Sequence, residues 1–144
     1  GDQRALMAWV AESTPADSTF LVVPDSTWEI DKEGEWFPVL AGRQSVVTVQ
    51  GWEWMADGGF HEQQDRYWAA YDCGFHTTQC LDQWLRRFPE SAYTYVYVGQ
   101  FEGVRCCGTL TRSLEQDPRY VRVYSDDGGA IWAFRPTEAD DRRR

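Results

Sequence analysis

"TFLVVPDS", residues 19–26, is the stretch on which the fold turns. Thr19 opens an apolar run that continues unbroken to Val23, and Pro24-Asp25-Ser26 closes it. A run this short, aromatic and β-branched and bounded by turn residues, is a buried strand. Just upstream, Leu6, Trp9, Val10 and Ser13 recur at helical spacing with Ala5 beside them. They predict a helix over residues 2–13. Thr14-Pro15 stops it, because the residue before a proline avoids the helical region.

The same reading extends downstream. Residues 36–41 form a short helix, with Pro38 tolerated in its first turn and Gly42 just past its end. Residues 45–49, "SVVTV", are the second strand. Phe60, Gln64, Tyr67, Trp68 and Tyr71 mark one face of a helix over 60–72. Leu81, Trp84, Leu85 and Phe88 mark the next, with Thr77 or Thr78 as N-cap and Pro89 at its end. Residues 93–98 are the third strand, and 109–116 a short helix closed by Asp117-Pro118. Strands at 120–124 and 130–134 flank "SDDGG", a hairpin signal. Strands alternating with helices put helices on both faces of a parallel sheet. The expectation is an α/β fold: a three-layer, Rossmann-like sandwich, with a mostly parallel sheet of about five strands ending in an antiparallel hairpin. Residues 1–136 read as one domain and 137–144 as a disordered tail.

Composition narrows the function. A length of 144 residues suits one core. The net charge of −9 lacks the basic face that nucleic acid or anionic lipid requires. Aromatics are the outlier, with 8 Trp, 7 Tyr and 7 Phe, enough to line a binding face as well as a core. The sequence shows no signal peptide and no apolar run of the ~18 residues that a spanning helix needs. Cys73, Cys80, Cys106 and Cys107 allow three pairings. A Cys73–Cys80 bridge is sterically reasonable across a short turn. Cys106 and Cys107 are left as a vicinal bridge, as free thiols, or paired elsewhere.

Open α/β sheets bind ligands beyond the carboxyl ends of their strands. That singles out the loops 24–35, 50–59 and 99–108, with the tip of the closing hairpin as a fourth place. No dinucleotide fingerprint or phosphate loop is present, so no cofactor is expected. Asp57-Gly58-Gly59 reads as a turn and cap rather than an anion site. "HEQQD", residues 61–65, lacks the second histidine of a zinc-protease helix, and His61, His76 and the cysteines match no zinc spacing. No nucleophile elbow or triad is legible. The carboxylates Asp25, Glu29, Asp31, Glu33 and Glu35 read as a solvated acidic loop, with glycoside hydrolysis as a third-ranked alternative. Glu35, Trp36, Arg43, Gln50, Trp52, Glu53 and Trp54 remain as a collar with two readings. One is core packing, with Trp36 and Phe37 seating the short helix on the sheet, which chemistry alone slightly favours. The other is a ligand-binding face, since indoles pack on sugar C–H faces and carboxylates and amides bond hydroxyls.

Three segments then resemble a known family. "ALMAWVAESTPADSTFLVV", residues 5–23, resembles the join where polytopic glycosyltransferases of the GT-C type leave their last membrane helix and enter a soluble C-terminal domain. "EWFPVLAGRQSVVTVQGWEW", residues 35–54, is similar to a segment of bacterial dolichyl-phosphate-mannose mannosyltransferase-like membrane proteins, and "DPRYVRVYSDDGGAIWAF", residues 117–134, to their closing hairpin. The resemblance implies an extracytoplasmic domain that covers an active-site cavity and helps hold acceptor or sugar. Its partner would be the membrane-embedded part of the same polypeptide. It places Glu35, Trp36, Arg43, Gln50, Glu53 and Trp54 toward that cavity and assigns no catalytic residue. The oxidising compartment it implies favours the Cys73–Cys80 bridge. The alternative is a free-standing carbohydrate-binding or adaptor domain.

Overall fold

The computed structural model describes residues 3–50, 52, 58–99 and 106–137. In chain order the elements are α1 (Arg4–Ser13), β1 (Thr19–Val22), α2 (Lys32–Ala41), β2 (Gln44–Ser45), α3 (Gly59–Cys73), α4 (Thr78–Arg87), β3 (Tyr95–Gly99), α5 (Gly108–Gln116), β4 (Tyr120–Asp126) and β5 (Gly129–Phe134). A 3-10 turn, Pro89–Ser91, follows α4. The five strands form one sheet in the order β2-β1-β3-β5-β4.

The sheet is mixed. β1 pairs in parallel with β2 and β3. β5 pairs antiparallel with both β3 and β4. The expected mostly parallel sheet therefore holds for one half only, because the closing hairpin docks against β3 through β5 and is not a mere edge addition. Side chains alternate across the strands. Phe20 and Val22 of β1, Tyr97 of β3 and Ile131 of β5 meet Leu6 and Val10 of α1 and Phe37 of α2. Leu21, Val96 and Trp132 point the other way, onto Leu81 and Trp84 of α4 and Leu110 of α5. Both faces are thus covered, which is why β1 carries an unbroken apolar run. Each fully buried large side chain, Phe37 among them, contributes roughly 1.5–3 kcal/mol.

The second strand is shorter than expected. Of residues 45–49 only Ser45 lies in a strand, and Val46 to Val49 are buried without a ladder. Val46 N–H still donates to Phe20 O at 2.9 Å. Beyond it the carbonyls of Val46 and Thr48 are taken by one side chain: Gln63 Nε2 donates to them at 3.1 and 3.0 Å. Gln63 is buried on α3, so a glutamine stands where a neighbouring strand would.

Helix α2 begins four residues before the expected Trp36. Asp31 is its N-cap and accepts from Gly34 N–H at 2.8 Å. Pro38 therefore falls inside the helix, not in its first turn. It cannot donate to Gly34 O, four residues back. Thr48 Oγ1 makes that bond instead, at 2.9 Å. The apolar stripe is split: Phe37 and Ala41 are buried, while Trp36, Val39 and Leu40 are exposed.

Cys73 and Cys80 are bridged, with Cα atoms 5.4 Å apart, tying the end of α3 to α4. By loop closure such a bridge stabilises by about 2 kcal/mol. Cys106 and Cys107 are bridged to each other. Among the described residues, no helix is long and apolar enough to cross a membrane.

Candidate functional site

From β1 the chain crosses through α2 to β2 on one side; from β2 it crosses through α3 and α4 to β3 on the other. The switch point lies between β1 and β3, and the crevice beyond their carboxyl ends is the expected ligand position. Residues 23–31 leave β1 there, β3 ends there at Gly99, and α2 begins there.

Two carboxylates are buried at this end. Asp31, only 4% exposed, caps α2 and also accepts from Tyr67 Oη at 2.9 Å. Burial pushes its carboxyl up to about 6, against the hydrogen bonds from Gly34 and Tyr67; the charges of Asp25 and Glu35 push the same way as burial. Glu33 is likewise 4% exposed. Its Oε1 has no hydrogen-bond partner among the described residues. Burial first, and then Asp25 and Asp31, hold its carboxyl well above the ordinary range, while the Tyr97 hydroxyl pulls the other way. Glu33 lies so tightly on the end of β3 that a Cβ on Gly99 would overlap its carboxylate. A side chain at that position would have to push the Glu33 carboxylate aside. No Lys or Arg pairs with Asp31 or Glu33 among the described residues.

A buried carboxylate without a cation is costly. Such a group favours its protonated form, a hydrogen-bond or proton donor, and ionises more readily when a polar or cationic group arrives. Tyr67 and Tyr97 complete the wall; burial and these carboxylates raise both phenols, which stay protonated donors. Tyr97 Oη donates to Gln3 Oε1 at 2.7 Å, and Gln3 Nε2 donates to Gly128 O at the tip of the β4–β5 hairpin. A cavity of about 500 Å³ opens at the same end of β3, between the β4–β5 hairpin and the start of α5.

The collar expected from sequence is divided. Glu35 lies in the first turn of α2, 3.4 Å from Lys32 Nζ. Gln50 Nε2 donates to Trp28 O at 2.7 Å, which ties it to the loop after β1. The Trp28 ring meets Phe60 edge-on at 5.7 Å. Trp52 is half-buried, and its backbone N–H donates to Val49 O at 3.0 Å. Trp36 stands exposed on the outer face of α2. Arg43 is at the opposite end of α2. Its guanidinium donates to the carbonyls of Ala11, Thr14 and Pro15 and to Thr14 Oγ1, closing the end of α1. Glu53 and Trp54 lie outside the described residues. The structure thus brings Glu35, Gln50 and Trp52 toward the switch point, and Arg43 away from it.

Sequence reasoning passed over Glu33 and Asp31 because they sit in what reads as a solvated acidic run. The signal that reveals them is Asp31 three residues before Gly34, an N-cap spacing that moves the helix start upstream. Among the described residues, no three His, Cys, Asp or Glu are arranged to hold a metal ion. No protein-family model, curated protein or solved structure matches this chain.

Proposed function

We propose that this chain is the extracytoplasmic domain of a GT-C-type membrane glycosyltransferase. In that reading the carboxyl end of its sheet covers the active-site cavity and helps hold the acceptor, and the domain is not catalytic alone. One observation carries it: Gln3, at the start of α1, is hydrogen-bonded to Tyr97 and to the hairpin tip. The chain enters on the same end as Asp31, Glu33, Gln50 and Trp52. A membrane helix leading into α1 would hold that end against the membrane part of the polypeptide. The exposed Ile30, Trp36, Val39 and Leu40 on and beside α2 support the same orientation, because large apolar groups left in water favour a covering partner. The Cys73–Cys80 bridge is consistent with a compartment outside the cytoplasm. The parallel half, β2-β1-β3, supports a Rossmann-like description for that half.

Expression of the full reading frame, followed by membrane fractionation and protease protection, tests this. The domain is expected in the membrane fraction, on the outer side, with transfer of sugar from a lipid-phosphate donor lost when residues 3–137 are deleted. A product recovered entirely in the soluble fraction would overturn it.

A further inference from the structure

We infer that Cys106–Cys107 is a thiol–disulfide exchange site, taking small dithiols and disulfides as its substrates at the mouth of the cavity beside α5. A bridge between neighbours closes no loop, so it restrains the unfolded chain hardly at all. Cys73–Cys80 is different: it spans a separation of seven residues and joins two helices. The vicinal pair therefore needs a reason other than stability, and its surroundings supply one.

Cys106 is half-exposed and Cys107 is 6% exposed, and both line the cavity of about 500 Å³ together with Gly99, Gly108 and Trp132. An incoming thiolate thus has room to reach Cys106. Cys107 is the N-cap of α5, and its side chain makes no capping hydrogen bond. The first N–H groups of a helix stabilise a thiolate placed there. Arg112 Nη1 adds positive charge, 3.5 Å from where a Cβ on Gly108 would sit. Cys107 is thus the better leaving group and Cys106 the better target. Cys106 Sγ also lies 3.8 Å from Gly74 O and 4.0 Å from Pro24 O, so the thiol formed there finds carbonyl acceptors already in place. Gly74 makes the approach possible, since a Cβ there would stand 2.7 Å from Cys106 Sγ.

The step balances as follows. A dithiol's thiolate attacks Cys106 Sγ, the Cys106–Cys107 bond breaks, and Cys107 leaves as the thiolate. The dithiol's second sulfur then attacks the mixed disulfide and releases Cys106. The dithiol ends as its disulfide, two electrons pass to the protein, and two protons complete the thiols. An incoming disulfide reverses each step.

The test is a dithiothreitol titration of the whole chain near neutral pH, quenched with N-ethylmaleimide and mapped by peptide mass spectrometry. Cys106 and Cys107 are expected to be modified together at a dithiothreitol-to-oxidised ratio at least tenfold below that for Cys73 and Cys80, with the far-ultraviolet circular dichroism unchanged. Oxidised dithiothreitol should restore the pair. Reduction of both bridges together, of Cys73–Cys80 first, or maleimide on Cys106 and Cys107 before any reductant, would overturn the inference. Cys107→Ser should accumulate a stable mixed disulfide with glutathione at Cys106, and its absence in a folded variant would count against the assigned leaving group. Should that variant not fold, Arg112→Gln replaces it. The reduced pair should then react with maleimide several-fold more slowly at pH 7, and an unchanged rate would count against Cys107 as a thiolate stabilised by the Arg112 charge.

Discussion

Two polar clusters, one half-buried and one buried, sit at different places in this fold and are built on opposite principles. On the α4–β4 side, Arg119 forks onto two carboxylates: Asp82 at 2.9 and 3.1 Å, and Asp117 at 3.1 and 2.8 Å. Burial works against the charge of Asp117. The hydrogen bonds from the Arg119 guanidinium and backbone, with one from Thr78, outweigh it and hold the carboxyl below its ordinary range. Beside it Tyr93 and Tyr120 share a hydrogen bond of 2.6 Å. At the switch point, Asp31 and Glu33 have tyrosines but, among the described residues, no such cation. The first cluster is satisfied and serves the structure. The second favours the neutral form of its carboxylates and, among the described residues, leaves one oxygen unbonded, which folding alone does not require.

The largest expected effect breaks the satisfied cluster. Arg119→Ala leaves the half-buried Asp82 and Asp117 without their cation, and should cost about 2 kcal/mol in urea unfolding. A loss under about 1 kcal/mol would mean that the two clusters do not differ as described. The switch point should respond with the opposite sign. Glu33→Gln removes a carboxyl that resists ionisation, and at pH 8 should stabilise the domain by about 1 kcal/mol. Destabilisation at pH 8 together with an unchanged pH profile would show that Glu33 is paired after all.

The scaffold of the switch point can be tested separately. Thr48→Val removes the hydroxyl that bonds Gly34 O opposite Pro38, and should cost about 1 kcal/mol. Pro38→Ala restores an N–H donor to Gly34 O, so Thr48→Val should cost less in that background; equal losses in the two backgrounds would refute the substitution of one bond for the other. A further test is a pH dependence. The folded pKa of Asp31 is raised, to about 6, so its contribution is fully present below its unfolded value near 4 and is lost as pH rises through 6. Asp117 has the reverse sign, its contribution being lost as pH falls. Asp31→Asn, which keeps the cap, should flatten the decline between pH 4 and 7; an unaltered slope in that window would contradict the raised value.

Most of the framework was legible in the sequence, and the reasons are local. Residues 19–23 and the hairpin around "SDDGG" announce themselves through apolar runs and turn residues, and neither depends on distant contacts. Val46 to Val49 look like the β1 run but form no strand beyond Ser45, because the groups that satisfy their carbonyls come from Gln63 on a helix. No pattern in 45–49 carries that information. Glu33 is the sharper case. A glutamate between Lys32 and Gly34 reads as solvated, and its burial follows only from the docking of α2 on β3 at Gly99. The pairing of the hairpin through β5 was equally out of reach, since residues 130–134 and 120–124 are similarly apolar and only the sheet decides which lies inside.

The glutamine that replaces a strand beside β2 also governs how this molecule meets others. An open sheet edge is a template on which another chain can add a strand. Here one edge is two residues long and is continued by a segment whose carbonyls a side chain already occupies. The other edge is broken by a register irregularity between Arg122 and Tyr124, with Arg122 facing Glu115 at 3.4 Å. Neither rim offers the long run of unpaired backbone that polymerising proteins share. The domain can be crowded at high density without zipping edge to edge, because neither rim is a ready template for another strand.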